Sequence, residues 1–296
     1  MVTNPIEDGK MCYKEQKKFF TGFSSIMNIQ KSNTATNFRS GLTCKLIKDI
    51  KNTDIVKNQA DFAQIGIDTN FKGSKSICAN FVLAANILAE IAGKFKLPFD
   101  FLPPAIKVYE KKDLINKSDN AVGFCITDTK SVLKNCEPFI GGSIFINKQK
   151  NGLWHNEIFS DFERLMNWRA SSHFLSGTLH EWFHCIHQNL IFKQKGYEGD
   201  CPILREQYYK KNANGLQSID IQTNLPNLPE ARILEKLIGR YAAYSRSMME
   251  VFAELMTQMT VKSLDKDLNV IKNPLDNLPK DLPAVYKKKV EKILNV

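Results

Sequence analysis

Apolar positions divide the chain into a helical part, an extended part and a second helical part. Ahead of residue 70 the pattern is lysine-rich with weak helical periodicity, carried by Phe19, Phe20, Phe23, Ile26 and Met27, and 68–74 holds turn formers. This predicts an N-terminal helical region over 1–70, followed by a second domain over 71–296. Residues 76–96 read as a long helix whose apolar positions, including Phe81, Ala84, Leu88 and Ile91, fill more than one face. Such a helix belongs in a core, and Pro98 ends it.

Beyond Pro103 and Pro104 the period changes from helical to extended, and 105–109, 121–127 and 143–147 are short runs rich in β-branched and aromatic residues. Helical spacing returns at 155–168 and 173–192, and an irregular stretch punctuated by Gly and Pro then runs to Pro229. Within it, 193–228 is a candidate lid or specificity insertion. Further helices are expected over 229–244 and 248–261, with a last short one near 283–294. The order helix, sheet, helices predicts an α+β fold rather than a parallel βαβ one.

Composition narrows the class. With 296 residues, 43% of them hydrophobic and 24% charged, the chain is neither disordered nor fibrous. The longest apolar stretch, 81–92, is interrupted by Asn86 and Glu90, so no membrane span is expected. The first ten residues are polar and acidic, which predicts no classical secretory signal. Seven cysteines, an odd number without CxxC pairs, suit a reducing compartment such as the cytoplasm. The net charge of +10 arises from lysines spread along the chain, which disfavours a nucleic-acid partner.

All five histidines fall between His155 and His187, and three lie in the run His180-Glu181-Trp182-Phe183-His184-Cys185-Ile186-His187. That run contains HExxH, which chance would place in about one such chain in two hundred. Four-residue spacing on a helix sets two imidazoles on one face, where they can share a metal ion while Glu181 reaches a water on that metal. The surrounding Leu179, Trp182, Phe183 and Ile186 predict a buried helix, in which unpartnered His180, Glu181 and His184 would be costly. His187 sits about 10 Å beyond His180 along the axis, so it is expected nearby or at the surface rather than as a ligand. His155, His173 and Cys185 receive structural readings.

A catalytic zinc needs a third protein ligand and an open position. Leu190 excludes the HExxHxxGxxH arrangement. The downstream run Glu250-Val251-Phe252-Ala253-Glu254 offers two carboxylates four residues apart in an apolar helix. Glu250 is the candidate ligand, and Glu254 the candidate acceptor of a ligand imidazole N–H.

HExxH followed by a helix with ExxxE resembles the gluzincin clan of zinc metallopeptidases. The string from Tyr244 through Arg246-Ser247 to Glu250-Val251-Phe252-Ala253-Glu254 looks like the anthrax-lethal-factor-like group, and the resemblance covers roughly residues 70–296. It implies a zincin-like metallopeptidase domain, with a small mixed sheet, a catalytic helix and C-terminal helices. It also implies Zn²⁺ on His180, His184 and Glu250, Glu181 as general base, and a protein or peptide substrate. Tyr244 stands six residues before Glu250 where the group usually has seven, so either Tyr244 or Tyr241 would face the oxyanion. The strand 142–147 is a candidate edge against which a substrate could lie, making Ser143 and Phe145 candidate substrate-binding residues. Two other classes compete: an inactive zinc-binding interaction protein, for which Glu181 has no use, and a basic nucleic-acid-associated protein, which leaves the ExFAE helix unexplained.

Overall fold

The computed structural model describes residues 54–97, 102–116, 121–127, 129–149, 169, 171, 173–195, 209–212, 215–218, 228–245 and 248–294. The helices expected before residue 50 and over 155–168, with His155, lie outside the described residues. Asp54 opens α1 (Ile55–Gln64), its carboxylate accepting the Lys57 N–H at 3.0 Å. Gly66, at φ +85°, then turns the chain into β1 (Asp68–Asn70).

β1 falls where the sequence reads as turn formers, because Asp68 and Asn70 are poor strand residues and three positions carry no periodicity. Pairing makes it a strand. It lies parallel to β2 (Ala105–Tyr109), and α2 (Lys75–Phe95) runs between them until Lys96, at φ +52°, stops it. This β1–α2–β2 crossover is one parallel unit within a sheet that is mixed overall. It also starts the sheet ahead of the boundary expected at residue 70, within the unit Asp49–Val296. By length and composition α2 could cross a membrane, yet Ile77, Phe81, Ala84, Leu88 and Ile91 are buried in the core.

β3 (Gly123–Cys125) and β4 (Ile144–Asn147) complete a four-stranded mixed sheet in the order β1-β2-β4-β3, with β4 parallel to β2 and antiparallel to β3. The mixture of helix and sheet is compatible with the α+β class. β4 is therefore an interior strand, which corrects its expected place at the edge. Its run Ile144-Phe145-Ile146 is buried throughout, as a strand covered on both faces must be. The edge strands of the described sheet are β1 and β3.

α3 (Ser176–Lys195) follows, then the hairpin β5 (Tyr209–Asn212) and β6 (Gly215–Ser218) inside the stretch read as irregular. Gly239, at φ +84°, divides the helix expected over 229–244 into α4 (Leu228–Ile238) and α5 (Arg240–Ser245). α6 (Met248–Lys262) and α7 (Ala284–Leu294) close the chain. The rings of Phe62, Phe71, Phe81 and Trp182, with successive centroids 6.0, 6.2 and 5.5 Å apart, tie α1 and α2 to α3. On the other side of α3, Phe183 meets Phe252 of α6 edge-on at 6.5 Å. α3 is thus held rigidly between the sheet, α2 and α6.

Candidate metal centre

The start of α3 is set by a histidine. His173 Nδ1 accepts the Leu175 N–H at 3.2 Å, and its carbonyl accepts the Ser176 N–H at 2.8 Å. Burial lowers His173 to about 4, so the ring stays neutral and able to accept. Leu179, Trp182, Phe183 and Ile186 then bury three sides of the helix. Consequently its polar residues are enclosed, with His180 2%, Glu181 4% and His184 8% exposed.

Enclosed polar groups need partners, and α6 supplies them. Glu250 stands in its first turn, where the helix dipole favours an acid. Its Oε2 lies 3.2 Å from His180 Nε2 and 3.5 Å from His184 Nε2, and the two nitrogens are 3.1 Å apart. The imidazole planes cross at 89°. On the far side of His180, Nδ1 faces Glu254 Oε2 at 3.0 Å, which places a ring proton on Nδ1 and turns Nε2 toward the cluster. Two ring nitrogens and a carboxylate oxygen so close together repel one another unless a cation, either a proton or a metal ion, sits among them. His180, His184 and Glu250 form a group that could hold a metal ion.

The electrostatics point the same way. Burial disfavours charge on His180, but hydrogen bonds to Glu250 and Glu254 outweigh it and push the ring up to about 10. Carboxylates that hold a proton this firmly also attract a divalent cation. Burial raises Glu250 as well, yet His184 and His180 hold its carboxyl well below the usual range, in the ionised form a ligand requires. Glu254→Gln is expected to weaken divalent-metal affinity by about 10–100-fold, measured by competition with a chromogenic chelator.

Glu181 is not part of this triangle. Its Oε2 is buried without a hydrogen-bond partner among the described residues. Burial raises its carboxyl above the ordinary value, with His180 and His184 pulling the other way and Glu250 adding to the rise. A buried carboxyl with an open oxygen and an upward shift is suited to taking up a proton.

Of the two tyrosines, Tyr241 is at the cluster. Its ring lies 6.2 Å from His180 and its hydroxyl donates to Glu250. The charge of Glu250, followed by burial, raises the phenol well above its normal range, so it stays protonated. The side chain of Tyr244, in the last turn of α5, lies outside what is described. Arg169, for which sequence spacing gave no signal, has its guanidinium 5.9 Å from the Tyr241 ring centre.

Other expectations are resolved or corrected. Of the two places expected for His187, near the ligands or at the surface, it takes the buried one, against the Phe252 ring at 4.6 Å, and burial lowers it to about 3. Ser143 and Phe145 are not substrate-binding edge residues, because β4 is paired on both sides. The Ser143 hydroxyl donates to the Ile140 carbonyl, and Phe145 is packed between Phe124 and Phe139. Cys185 is buried and accepts from Asn189 Nδ2 at 3.5 Å, as a packing residue does. Comparison with protein-family models, curated proteins and solved structures returns no match to this chain, so its site is read from its own residues.

Proposed function

We propose that the chain is a zinc-dependent metalloendopeptidase of gluzincin type with a zincin-like domain. The observation that carries the reading is the triangle of His180, His184 and Glu250 with the buried carboxylate of Glu181 beside it on the same helix. At zinc–ligand distances of about 2.0–2.1 Å, corners of a tetrahedron stand about 3.3–3.4 Å apart. The observed edges of 3.1, 3.2 and 3.5 Å bracket that value. Two imidazoles and one carboxylate leave a fourth corner for water or substrate, as catalytic zinc requires.

A zinc ion held there would lower the pKa of a water to about 7 and polarise a carbonyl oxygen. Glu181 Oε2 would accept the proton that this water loses on attacking the peptide carbonyl. The same oxygen would pass the proton to the departing amine, so the carboxylate is regenerated and the C–N bond is the one that breaks. Glu254, accepting from His180 Nδ1, keeps that imidazole in the ligating tautomer and orientation. Tyr241, protonated and adjacent, would turn its O–H from Glu250 to the oxyanion. Tyr241→Phe is expected to keep full metal content and lower kcat by about 10²-fold, read by steady-state kinetics.

The substrate would lie against β3. Val122 O accepts from Asn147 N, Phe124 faces Phe145, and Ile126 N donates to Ser143 O, so these alternate residues spend their backbone groups on β4. Gly123 turns its backbone groups away from β4, and β3 is an edge strand among the described residues, where an extended peptide could pair. The test is cleavage of a randomised, internally quenched peptide library by zinc-loaded protein, abolished by chelation and restored by zinc. Hydrolysis indifferent to chelation would overturn the reading.

A further inference from the structure

His180, His184 and Gln188 recur every four residues along α3, so Gln188 lies on the metal-ligating face about 6 Å past His184. It is 1% exposed. In the amide orientation that its surroundings satisfy, with the nitrogen toward Ile126 and the oxygen toward Gly142, it donates to Ile126 O at 3.1 Å and accepts from Gly142 N at 2.9 Å. These two backbone groups also bond each other at 2.7 Å, forming the rung that closes β3 against the start of β4. One side chain of the ligand-bearing helix therefore grips both arms of the β3–β4 connection.

The neighbouring glycines are shaped to admit it. A Cβ on Gly141 would stand 2.6 Å from the Gln188 amide, closer than real Cβ contacts come, and tightly at 3.0 Å from Thr127 O. Gly142 adopts φ +91°, a conformation side chains resist, and a Cβ there would also touch Cys185 Sγ at 3.6 Å. The pair Gly141-Gly142 thus lets the backbone approach α3 closely enough for the two hydrogen bonds. β3, the strand that closes onto this rung, is an edge strand of the described sheet, and its Gly123 turns its backbone groups away from β4.

We infer that Gln188 is a positioning residue that fixes the peptide-binding edge β3 relative to the metal ligands. This rests on the peptidase reading above. Substrate held by backbone pairing at β3 reaches the metal at the right height only if β3 and α3 keep a fixed separation, and Gln188 sets it through hydrogen bonds rather than apolar contact, which would allow sliding. Gln188 touches no reacting atom, so its effect falls on substrate binding.

The test compares wild type, Gln188→Met, which keeps the volume and loses both hydrogen bonds, and Gly141→Ala, which displaces the amide from the other side. Three quantities are measured on the full chain: zinc per chain, kcat and KM on an internally quenched peptide, and backbone amide exchange over residues 122–127 and 141–147. Both variants are expected to keep zinc and kcat within about twofold, and to raise KM about tenfold, the value of two lost hydrogen bonds. Exchange at Ile126 and Gly142 should quicken by a similar factor, and the double variant should cost less than the sum. An unchanged KM overturns the inference, as does unaltered exchange or loss of zinc together with kcat. If wild type binds zinc but cleaves no peptide, the peptidase reading alone fails, and the exchange data still decide whether Gln188 holds the strand.

Discussion

Glu181→Gln is expected to bind zinc as wild type does and to lose peptide hydrolysis by about 10³-fold, within the range general-base removal gives. The reasoning is geometric. Glu181 contributes no atom to the triangle of His180 Nε2, His184 Nε2 and Glu250 Oε2, so an isosteric amide leaves the metal undisturbed. It does remove the one buried carboxylate oxygen in the cluster that has no hydrogen-bond partner among the described residues and a raised proton affinity. An amide can orient a water but cannot take its proton. Kinetics beside elemental analysis of the same sample check both halves, and hydrolysis at the wild-type rate by Glu181→Gln would remove the mechanism.

Glu250→Ala is expected to have the second large effect, this time on metal and stability together. Among the described residues its carboxylate is the one candidate ligand from α6, and it faces two buried imidazoles from α3. Without it the site keeps two neutral nitrogens on one helix, and zinc affinity should fall by more than the roughly 10–100-fold that a lost supporting partner costs. Zinc that joins α3 to α6 stabilises the fold by mass action, about 4 kcal/mol at a thousandfold excess over Kd. For a chain of this size that is a rise in Tm of roughly 8–16 °C. Zinc addition should therefore shift wild type by that amount and Glu250→Ala by almost nothing, in thermal melts with and without metal. Equal shifts in the two proteins would show that Glu250 is not a ligand.

The site was more legible in the sequence than the sheet that carries it. HExxH and ExFAE each state a helical spacing, and spacing on a helix fixes which side chains share a face, so His180, His184, Glu250 and Glu254 could be named from the chain alone. α2, α3, α6 and α7 announce themselves by apolar runs with clear ends. Strand order is a different kind of information. Nothing local to Ser143 or Phe145 says which strands flank them, although the unbroken apolar run of β4 carried the signal of an interior strand. β1 depends wholly on its partner, and Gly239 divides a helix whose apolar pattern runs straight through it. Tyr241, two residues past that break, reaches Glu250 through a contact that its spacing does not announce. Gln188 and Arg169 act through contacts far apart in the chain, which no motif records.

The central claim is that one zinc ion is held by His180, His184 and Glu250, and X-ray absorption at the zinc edge of the purified chain tests it most directly. The expected spectrum has one zinc per chain, a first shell of nitrogen and oxygen only at about 2.0–2.1 Å, and outer scattering from two imidazoles. A first shell with sulfur at about 2.3 Å, or a chain that retains no zinc after metal-replete purification, would contradict it.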